Sequence, residues 1–185
     1  MRIVGGRLRG RALAAPKSNA VRPTADRLRE ALFNILVHAY GDPITDARVL
    51  DLFAGTGALA LEALSRGASF ALFVDDGAEA RALLRENVAA LGLGGATRIF
   101  RRDATKLGAA HPIEPFSLVF LDPPYGQGLA ERALIAARTG GWLTPDTLIV
   151  VEETAKSGFA APEAFEELER RAYDDTMLVF LRHRA

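Results

Sequence analysis

The sequence predicts an α/β fold: a doubly wound, mostly parallel sheet preceded by a small basic hairpin and a helix. Two features of the chain support this prediction. From residue 48 onward, short apolar runs that fit buried strands alternate with amphipathic segments of helical period. Strands that are apolar on both faces are typical of parallel sheets covered by helices on both sides. Right-handed crossovers between such strands make the sheet doubly wound.

The beginning of the chain has a pattern of its own. Three glycines interrupt short apolar stretches within residues 1–20, which favours a small hairpin. Apolar residues then follow at helical spacing from Leu28 to Ala39 and predict an amphipathic helix. We therefore divide the chain into an N-terminal extension, residues 1–40, and a main domain, residues 41–185.

The main domain alternates strands with helices. Its apolar runs predict strands over residues 49–53, 70–74, 97–100, 116–121, 147–151 and 177–181. Its amphipathic segments predict helices over residues 58–66, 78–91, 129–138 and 162–170. In sheets of this kind, ligands bind outside the carboxyl ends of the strands, near the point where the strand order reverses. We therefore expect the functional residues at these strand ends.

Charge is distributed unevenly along the chain, although the net charge is zero. Residues 1–30 contain eight basic and two acidic side chains, a net charge of +6, and the remainder carries −6. A basic segment on an acidic body is typical of proteins that bind nucleic acid. The alternative is a solvated, arginine-rich tail. The basic residues are Arg2, Arg7, Arg9, Arg11, Lys17, Arg22, Arg27 and Arg29.

The composition excludes several classes of protein. Because the chain has no cysteine, it cannot use disulfides, thiolate nucleophiles or cysteine-bound zinc. The first residues lack the apolar core of a signal peptide, and no uncharged apolar run reaches the roughly 18 residues of a membrane span. We therefore expect a cytoplasmic protein that has no contact with a membrane. The three histidines share no motif, and we expect no metal.

A glycine-rich loop follows the first predicted strand of the main domain. It runs from Asp51 to Ala60 and contains Gly55 and Gly57, which allow a tight turn and a ligand close to the backbone. Asp75 ends the next strand, at a position from which an acid can bind both hydroxyls of a ribose. These residues predict a nucleoside site.

The charges around this loop favour S-adenosylmethionine over a dinucleotide. The negative charge of Asp51 would oppose a pyrophosphate at the N-terminus of the following helix. S-adenosylmethionine has no phosphate, and it carries an ammonium and a sulfonium that a nearby acid favours. Asp103 ends the third strand, and Ala104 follows it. From the end of this strand, the Asp103 carboxylate can accept a hydrogen bond from the adenine amino group.

A second motif, Asp122-Pro123-Pro124-Tyr125, follows the apolar run 116–121. Because proline has no backbone N–H, the motif presents mainly acceptors. The carbonyls of the two prolines and the Asp122 carboxylate lie beside the flat ring of Tyr125. An exocyclic amine on an aromatic base is a poor nucleophile, and hydrogen bonds to Asp122 and the Pro123 carbonyl would orient it for methyl transfer. We expect Asp122, Pro123 and Tyr125 to be catalytic and Pro124 to contact the base.

The glycine-rich loop and this motif together resemble the class I S-adenosylmethionine-dependent amino methyltransferases, which have a Rossmann-like sheet. The segments 6–11, 22–24 and 26–36 resemble, more narrowly, the bacterial family that methylates N2 of guanine 966 in 16S ribosomal RNA. The resemblance covers nearly the whole chain. It implies a ribosomal RNA (guanine-N2)-methyltransferase that uses S-adenosylmethionine. Its partner would be the small ribosomal subunit or an assembly intermediate, and we expect the enzyme to be a monomer.

The resemblance also assigns residues to the ligands. The cofactor, from its methionine end to its adenine, would be bound by Asp51, Gly55, Gly57, Asp75, Asp103 and Ala104. The target base would be held by Asp122, Pro123, Pro124 and Tyr125, with Arg22 and Thr24 closing over the base or the cofactor. From their charge and position, we expect RNA phosphates to be contacted by Arg7, Arg9 and Arg11.

Three other functions share parts of this pattern. An adenine N6-methyltransferase acting on RNA or DNA uses the same acceptors and ring, although no separate DNA-recognition domain fits in 185 residues. A protein-glutamine methyltransferase typically has asparagine where Asp122 stands. An RNA-binding protein on an inactive scaffold would have no need of both intact motifs. Glu152 and Glu153 end the fifth predicted strand and could approach the pocket, but we expect them at the surface.

Overall fold

The computed structural model describes residues 1–17 and 23–185. The helices in this part of the chain are α1 (Pro23–Ala39), α2 (Ala58–Ser65), α3 (Ala78–Ala90) and α4 (Leu129–Thr139). The strands are β1 (Arg48–Leu52), β2 (Phe70–Val74), β3 (Thr97–Phe100), β4 (Phe116–Leu121), β5 (Leu143–Thr154), β6 (Phe165–Tyr173) and β7 (Thr176–His183). Arg22, for which we expect a role at the site, lies outside the described residues, and so does the side chain of Thr24.

The strands form one sheet in the order β3-β2-β1-β4-β5-β7-β6. Strands β1 to β5 pair in parallel, whereas β7 pairs antiparallel with both β5 and β6. The strand order reverses between β1 and β4, so the carboxyl ends of these two strands flank the switch point. The prediction of a doubly wound, mostly parallel sheet is confirmed.

Two hydrophobic cores cover the two faces of the sheet. Apolar side chains of α1, α2 and α3, among them Phe33, Leu61 and Leu84, pack on what we call the α1 face. Helix α4 packs on the opposite face. Because side chains alternate along a strand, Phe120 of β4 belongs to the α1-face core and its neighbour Leu121 to the opposite core.

The first residues of the chain fold back onto the α1-face core. Ile3, Leu8 and Leu13 are buried in it. The predicted hairpin consists of one antiparallel bridge between Arg2 and Ala12 and the turn that joins them. The apolar residues of this segment therefore anchor it, and most of its arginines stay at the surface.

Gly6 allows this segment to approach α2. Its φ is +76°, and a Cβ there would lie 2.0 Å from the Ser65 carbonyl oxygen, so any larger residue would collide with backbone. The Arg7 N–H donates to the same carbonyl at 2.9 Å. The Ser65 hydroxyl donates to the Gly5 carbonyl at 2.7 Å. These contacts fix the segment at the C-terminal end of α2.

The helix predicted over residues 162–170 is wrong, because most of this segment belongs to strand β6. Its Glu, Leu and Arg residues favour helices, and Phe165 and Leu168 are spaced as on a helix face. The register with β7 shifts between Glu167 and Glu169, a β-bulge that breaks the two-residue alternation expected of a strand. Pairing with β7 thus overrides the helix propensity of this segment.

Within residues 1–17 and 23–185, no helix combines the length and apolarity that crossing a membrane requires. The same residues contain no group of three or more histidine and carboxylate side chains arranged to hold a metal ion.

Candidate active site

A groove runs along the carboxyl ends of β1, β2, β3 and β4, where the sequence predicts the functional residues. It consists of a first, a second and a third cavity, of about 290, 410 and 40 Å³. Phe53, directly after β1, lines all three, and its backbone is left-handed, with φ of 58°. The cavities share further lining residues, so they form one continuous site.

The two glycines of the loop after β1 have different roles. Gly55 lines the first and second cavities, and a Cβ there would meet nothing within 4 Å, so the backbone faces open space. A Cβ at Gly57 would lie 2.3 Å from Leu84 of α3. Gly57 lines none of the three cavities. Its contribution is therefore the close packing of α2 against α3.

Asp75 joins the end of β2 to the loop after β1. Its Oδ2 accepts a hydrogen bond from the Gly55 N–H at 2.9 Å, and its Oδ1 accepts one from the Gly77 N–H at 2.8 Å. The carboxylate lines the second and third cavities. Because each carboxylate oxygen can accept a second hydrogen bond, Asp75 can still receive the hydroxyls of a ribose.

Asp51 lies beneath the loop and is 1% exposed. Its Oδ2 accepts from the Ala60 N–H of α2 at 3.2 Å, and the side chain lines the first cavity. Loss of water on burial raises the pKa of Asp51 to about 8, and the charge of Asp75 adds to the rise, against the effect of the Ala60 hydrogen bond. A cation in the first cavity would favour release of this proton.

Asp103 and Ala104 lie at the other end of the groove, where they line the third cavity. Asp103 Oδ1 accepts from the Thr105 N–H at 2.8 Å and from the Thr105 hydroxyl at 2.7 Å. These hydrogen bonds, the hydroxyl's first, hold the pKa of Asp103 below its ordinary value. An ionised acceptor therefore stands at the end of β3, as the sequence predicts.

The segment Asp122–Tyr125 lies beside the glycine loop. Asp122 lines the first and second cavities, and the two prolines and Tyr125 line the second. The Tyr125 side chain is 44% exposed, which leaves its ring accessible to a partner. The Asp122 N–H donates to the Leu52 carbonyl at 3.5 Å, so the β1–β4 pairing continues to this residue.

Carboxyl groups gather around Asp122. Its side chain is exposed to solvent at the groove, yet protein atoms surround the carboxylate and desolvate it. This desolvation raises the pKa of Asp122 well above its ordinary value, and the negative charges of Glu152, Asp51 and Glu153 raise it further. Asp122 is therefore a stronger proton acceptor than a surface aspartate.

The expectation that Glu152 and Glu153 lie at the surface is wrong. Glu153 is 2% exposed and accepts from the Thr154 N–H at 3.1 Å. Glu152 lines the first cavity, and its Oε1 accepts from the Tyr125 hydroxyl at 3.1 Å. Burial raises the pKa of Glu152, and the Tyr125 hydrogen bond counteracts the rise. The adjacency of β5 to β4 is the signal that could have placed Glu152 beside Asp122.

Helix α1 and strand β7 also contribute to the first cavity, which the sequence does not reveal. Leu28, Arg29 and Leu32 line it from α1, and Leu178 lines it from β7. The helical period identifies the apolar positions of α1, but it does not distinguish those that face a cavity from those that fill a core. Arg29 is only 5% exposed, because other groups of the protein bind it.

The arginines of the N-terminal segment fall into two groups. Arg7 and Arg9 are exposed, and their guanidinium groups make no hydrogen bond within the described residues. Arg11 is exposed as well, but its Nη2 donates to the Ala90 carbonyl at the end of α3 at 2.5 Å. Met1 lines the first cavity, so the segment begins at the active site.

This fold and groove define a methyltransferase of the class with a Rossmann-like sheet. A solved structure from Escherichia coli, described as a methyltransferase, matches with a TM-score of 0.83 and 35% identity, covering 100% of this chain and 98% of that one. A structure from Haemophilus influenzae, described as a methylase, matches with a TM-score of 0.80 and 30% identity over the same shares of the two chains.

More particularly, the chain belongs to the family described as conserved hypothetical protein 95, whose family model matches residues 1–182. The ribosomal RNA small subunit methyltransferase D of Escherichia coli K12 is 41% identical over 170 residues, covering 92% of this chain and 83% of the relative. The enzyme of the same name from Haemophilus influenzae is 34% identical over 173 residues, covering 92% and 88%.

Proposed function

We propose that the chain transfers a methyl group from S-adenosylmethionine to the N2 amine of guanine 966 in 16S ribosomal RNA. The observation that carries the proposal is the position of Asp122 and Tyr125 beside the groove that Asp51, Gly55 and Asp75 line. The RNA is supported by the Escherichia coli relative, which is named as a methyltransferase of the small-subunit ribosomal RNA.

The groove fits S-adenosylmethionine. Asp103 and Ala104 would hold the adenine, Asp75 the ribose, and Asp51 the ammonium of the methionine. Open space beside Gly55 leaves room for a ligand against the backbone. When bound, S-adenosylmethionine supplies an electrophilic methyl group on a sulfonium, with no phosphate to oppose the carboxylates of the groove.

The target base would bind where the first and second cavities meet, at Asp122, which lines both. The exposed Tyr125 ring of the second cavity offers a stacking surface, and a guanine that is paired and stacked must be flipped out to reach it. Asp122 would accept a hydrogen bond from the N2 amine and orient its lone pair toward the methyl group. Methyl transfer would form the nitrogen–carbon bond as the carbon–sulfur bond to the cofactor breaks and the sulfur leaves as a neutral thioether. The methylated amine would then be acidic, and Asp122 would accept the proton that it releases.

The N-terminal extension, residues 1–40, would hold the RNA. Its exposed Arg7 and Arg9 are available for phosphates, and Arg22 and Thr24 would close over the base or the cofactor. The partner would be the small ribosomal subunit or an assembly intermediate of it, and the enzyme would act as a monomer in the cytoplasm.

Incubation with small ribosomal subunits tests this function. With S-adenosylmethionine labelled in its methyl group, we expect N2-methylguanosine at one position of the 16S RNA. Duplex DNA, in which every base is paired, should yield no product. Recovery of N6-methyladenine from either substrate would contradict the guanine assignment and favour an adenine N6-methyltransferase.

A further inference from the structure

Glu152 and Asp122 point into the same cavity from neighbouring strands. Leu121 of β4 pairs with Val151 of β5 in parallel register, and Asp122 and Glu152 are the next residues along the two strands. The residues before Leu121 and Val151 belong to the α1-face core, so alternation places both carboxylates on the α1 face. Both line the first cavity, together with Asp51.

The carboxylate of Glu152 is not neutralised by the protein around it. Within residues 1–17 and 23–185, no lysine or arginine forms an ion pair with it. Arg29 lines the same cavity, but its guanidinium donates to Asp26 and Glu62. The hydrogen bond from Tyr125 engages Oε1 alone. Two adjacent carboxylates thus face the same cavity, and no basic side chain of residues 1–17 and 25–185 is paired with Glu152.

Guanine and adenine differ in what they present to two adjacent acceptors. The Watson–Crick edge of guanine carries two neighbouring donors, the N1–H and the N2 amine. Adenine carries one donor, the N6 amine, next to N1, which is an acceptor. A pair of carboxylates therefore complements guanine, whereas adenine would place the lone pair of N1 against a negative charge.

We propose that Glu152 is the residue that selects guanine: it accepts the N1–H while Asp122 accepts the N2 amine. This inference rests on the proposed function, because it concerns the base that the same site methylates. Glu152 is thus a specificity residue that touches the substrate, and Asp122 remains the acceptor beside the reacting nitrogen. The Tyr125 hydroxyl donates to Oε1 of Glu152, so Oε2 remains for the N1–H.

2-Aminopurine tests the contact to N1. This base keeps the N2 amine of guanine, but its N1 is an acceptor that carries no proton, and it lacks O6. The loss of O6 is common to the wild type and Glu152→Gln, so the change in preference between the two enzymes reports on N1. Small subunits reconstituted with either guanine or 2-aminopurine at the methylated position would therefore present the same nucleophile with opposite N1 chemistry. For the wild-type enzyme we expect kcat/KM to be about 10- to 100-fold higher with guanine.

Glu152→Gln changes this preference without changing the shape of the side chain. The amide oxygen still accepts from Tyr125, and the amide N–H can donate to N1 of 2-aminopurine. We expect the preference for guanine to fall at least about tenfold. Because both substrates are compared with the same variant, a loss of folded protein does not affect the ratio. Tyr125→Phe is the matched variant. It removes only the hydroxyl that donates a hydrogen bond to Glu152, and it should leave most of the preference for guanine over 2-aminopurine.

The outcomes separate this inference from the proposed function. If the wild-type enzyme produces N2-methylguanine but methylates 2-aminopurine equally well, or if Glu152→Gln keeps the full preference, the role of Glu152 is wrong and the function stands. If Tyr125→Phe abolishes the preference as completely as Glu152→Gln, Glu152 acts through the ring and the proposed contact is wrong. If guanine subunits yield no N2-methylguanine, both proposals fail.

Discussion

The Asp75 carboxylate and the Gly55 N–H are 2.9 Å apart and hydrogen-bonded, which joins the end of β2 to the loop after β1. The two residues lie on neighbouring parallel strand ends and are twenty positions apart in the chain. Asp75 therefore does two things in the groove: it holds the glycine loop in place, and it presents a carboxylate to the second and third cavities.

Asp75→Ala should weaken S-adenosylmethionine binding by about 1–3 kcal/mol, because the ribose loses its acceptor and the loop loses its anchor. Isothermal calorimetry measures this loss. Glu86→Ala is the control: Glu86 is an exposed acid on α3 that lines none of the three cavities. Unchanged affinity of Asp75→Ala would remove Asp75 from the cofactor site, and tight NAD binding in the same assay would overturn the choice of cofactor.

Asp122→Ala should separate chemistry from cofactor binding. We expect single-turnover methylation to slow by about 10²-fold or more, since the target amine loses its positioned acceptor. Cofactor affinity, measured by calorimetry, should change little because Asp122 faces the base. A near-normal rate of methyl transfer by this variant would refute the mechanism.

Asp51 should make the stability of the protein depend on pH. Its pKa is about 8 in the folded chain and near its ordinary value of about 4 in the unfolded chain. Between these values the folded state holds a proton that the unfolded state has released, so the free energy of unfolding falls as pH rises from about 4 to about 8. Asp51→Asn keeps an acceptor for the Ala60 N–H and removes this titration.

Urea denaturation at pH 6 and pH 8 measures this effect. Relative to the wild type, Asp51→Asn should be more stable at pH 8 than at pH 6. An equal difference between the two proteins at both pH values would show that Asp51 titrates outside this range.

Arg7 and Arg9 should contribute to the salt dependence of RNA binding. Changing both to Ala should make the slope of log K against log salt shallower by about 0.7–0.9 for each phosphate contact that is lost. Arg11→Ala should act mainly through its hydrogen bond to α3, with a smaller effect on the slope. Arg138→Ala, an exposed position on α4 across the sheet, is the control. An unchanged slope in the double variant would leave the segment as a solvated tail.

Glu62 should be a major determinant of stability. It is fully buried and accepts from the Arg29 guanidinium and from the N–H groups of Val4 and Gly5. Glu62→Gln should reduce the free energy of unfolding by about 1–3 kcal/mol, because its amide N–H replaces one acceptor oxygen and leaves a buried donor of this network without a partner, while Arg29 keeps Asp26. Hydrogen exchange at Val4 and Gly5 should accelerate as well. Glu30→Gln, exposed on α1, should do neither, and a variant as stable as the wild type would contradict the assignment.

The sequence predicts the parts of this fold that local pattern determines. The strand before Asp75 is wholly apolar, and the strand before Asp122 is apolar except for Ser117. The loops that follow β1 and β4 contain glycine, proline and aspartate, whose roles are restricted. Strand β6 was not predictable in this way, because its bulge hides the alternation and its composition favours a helix. The position of Glu152 depends on which strand lies beside β4, which local pattern does not determine. The sequence pattern predicts that Gly57 binds a ligand, and only the structure shows that it packs against Leu84.

Cells that lack the protein show whether this site methylates the N2 amine of one guanine in the 16S RNA. Mass spectrometry of fragments of their small-subunit RNA should show guanine 966 without its methyl group. Expression of the wild-type protein should restore N2-methylguanosine there, and expression of Asp122→Ala should not. Guanine 966 still methylated in cells without the protein, or methylation fully restored by Asp122→Ala, would contradict the account.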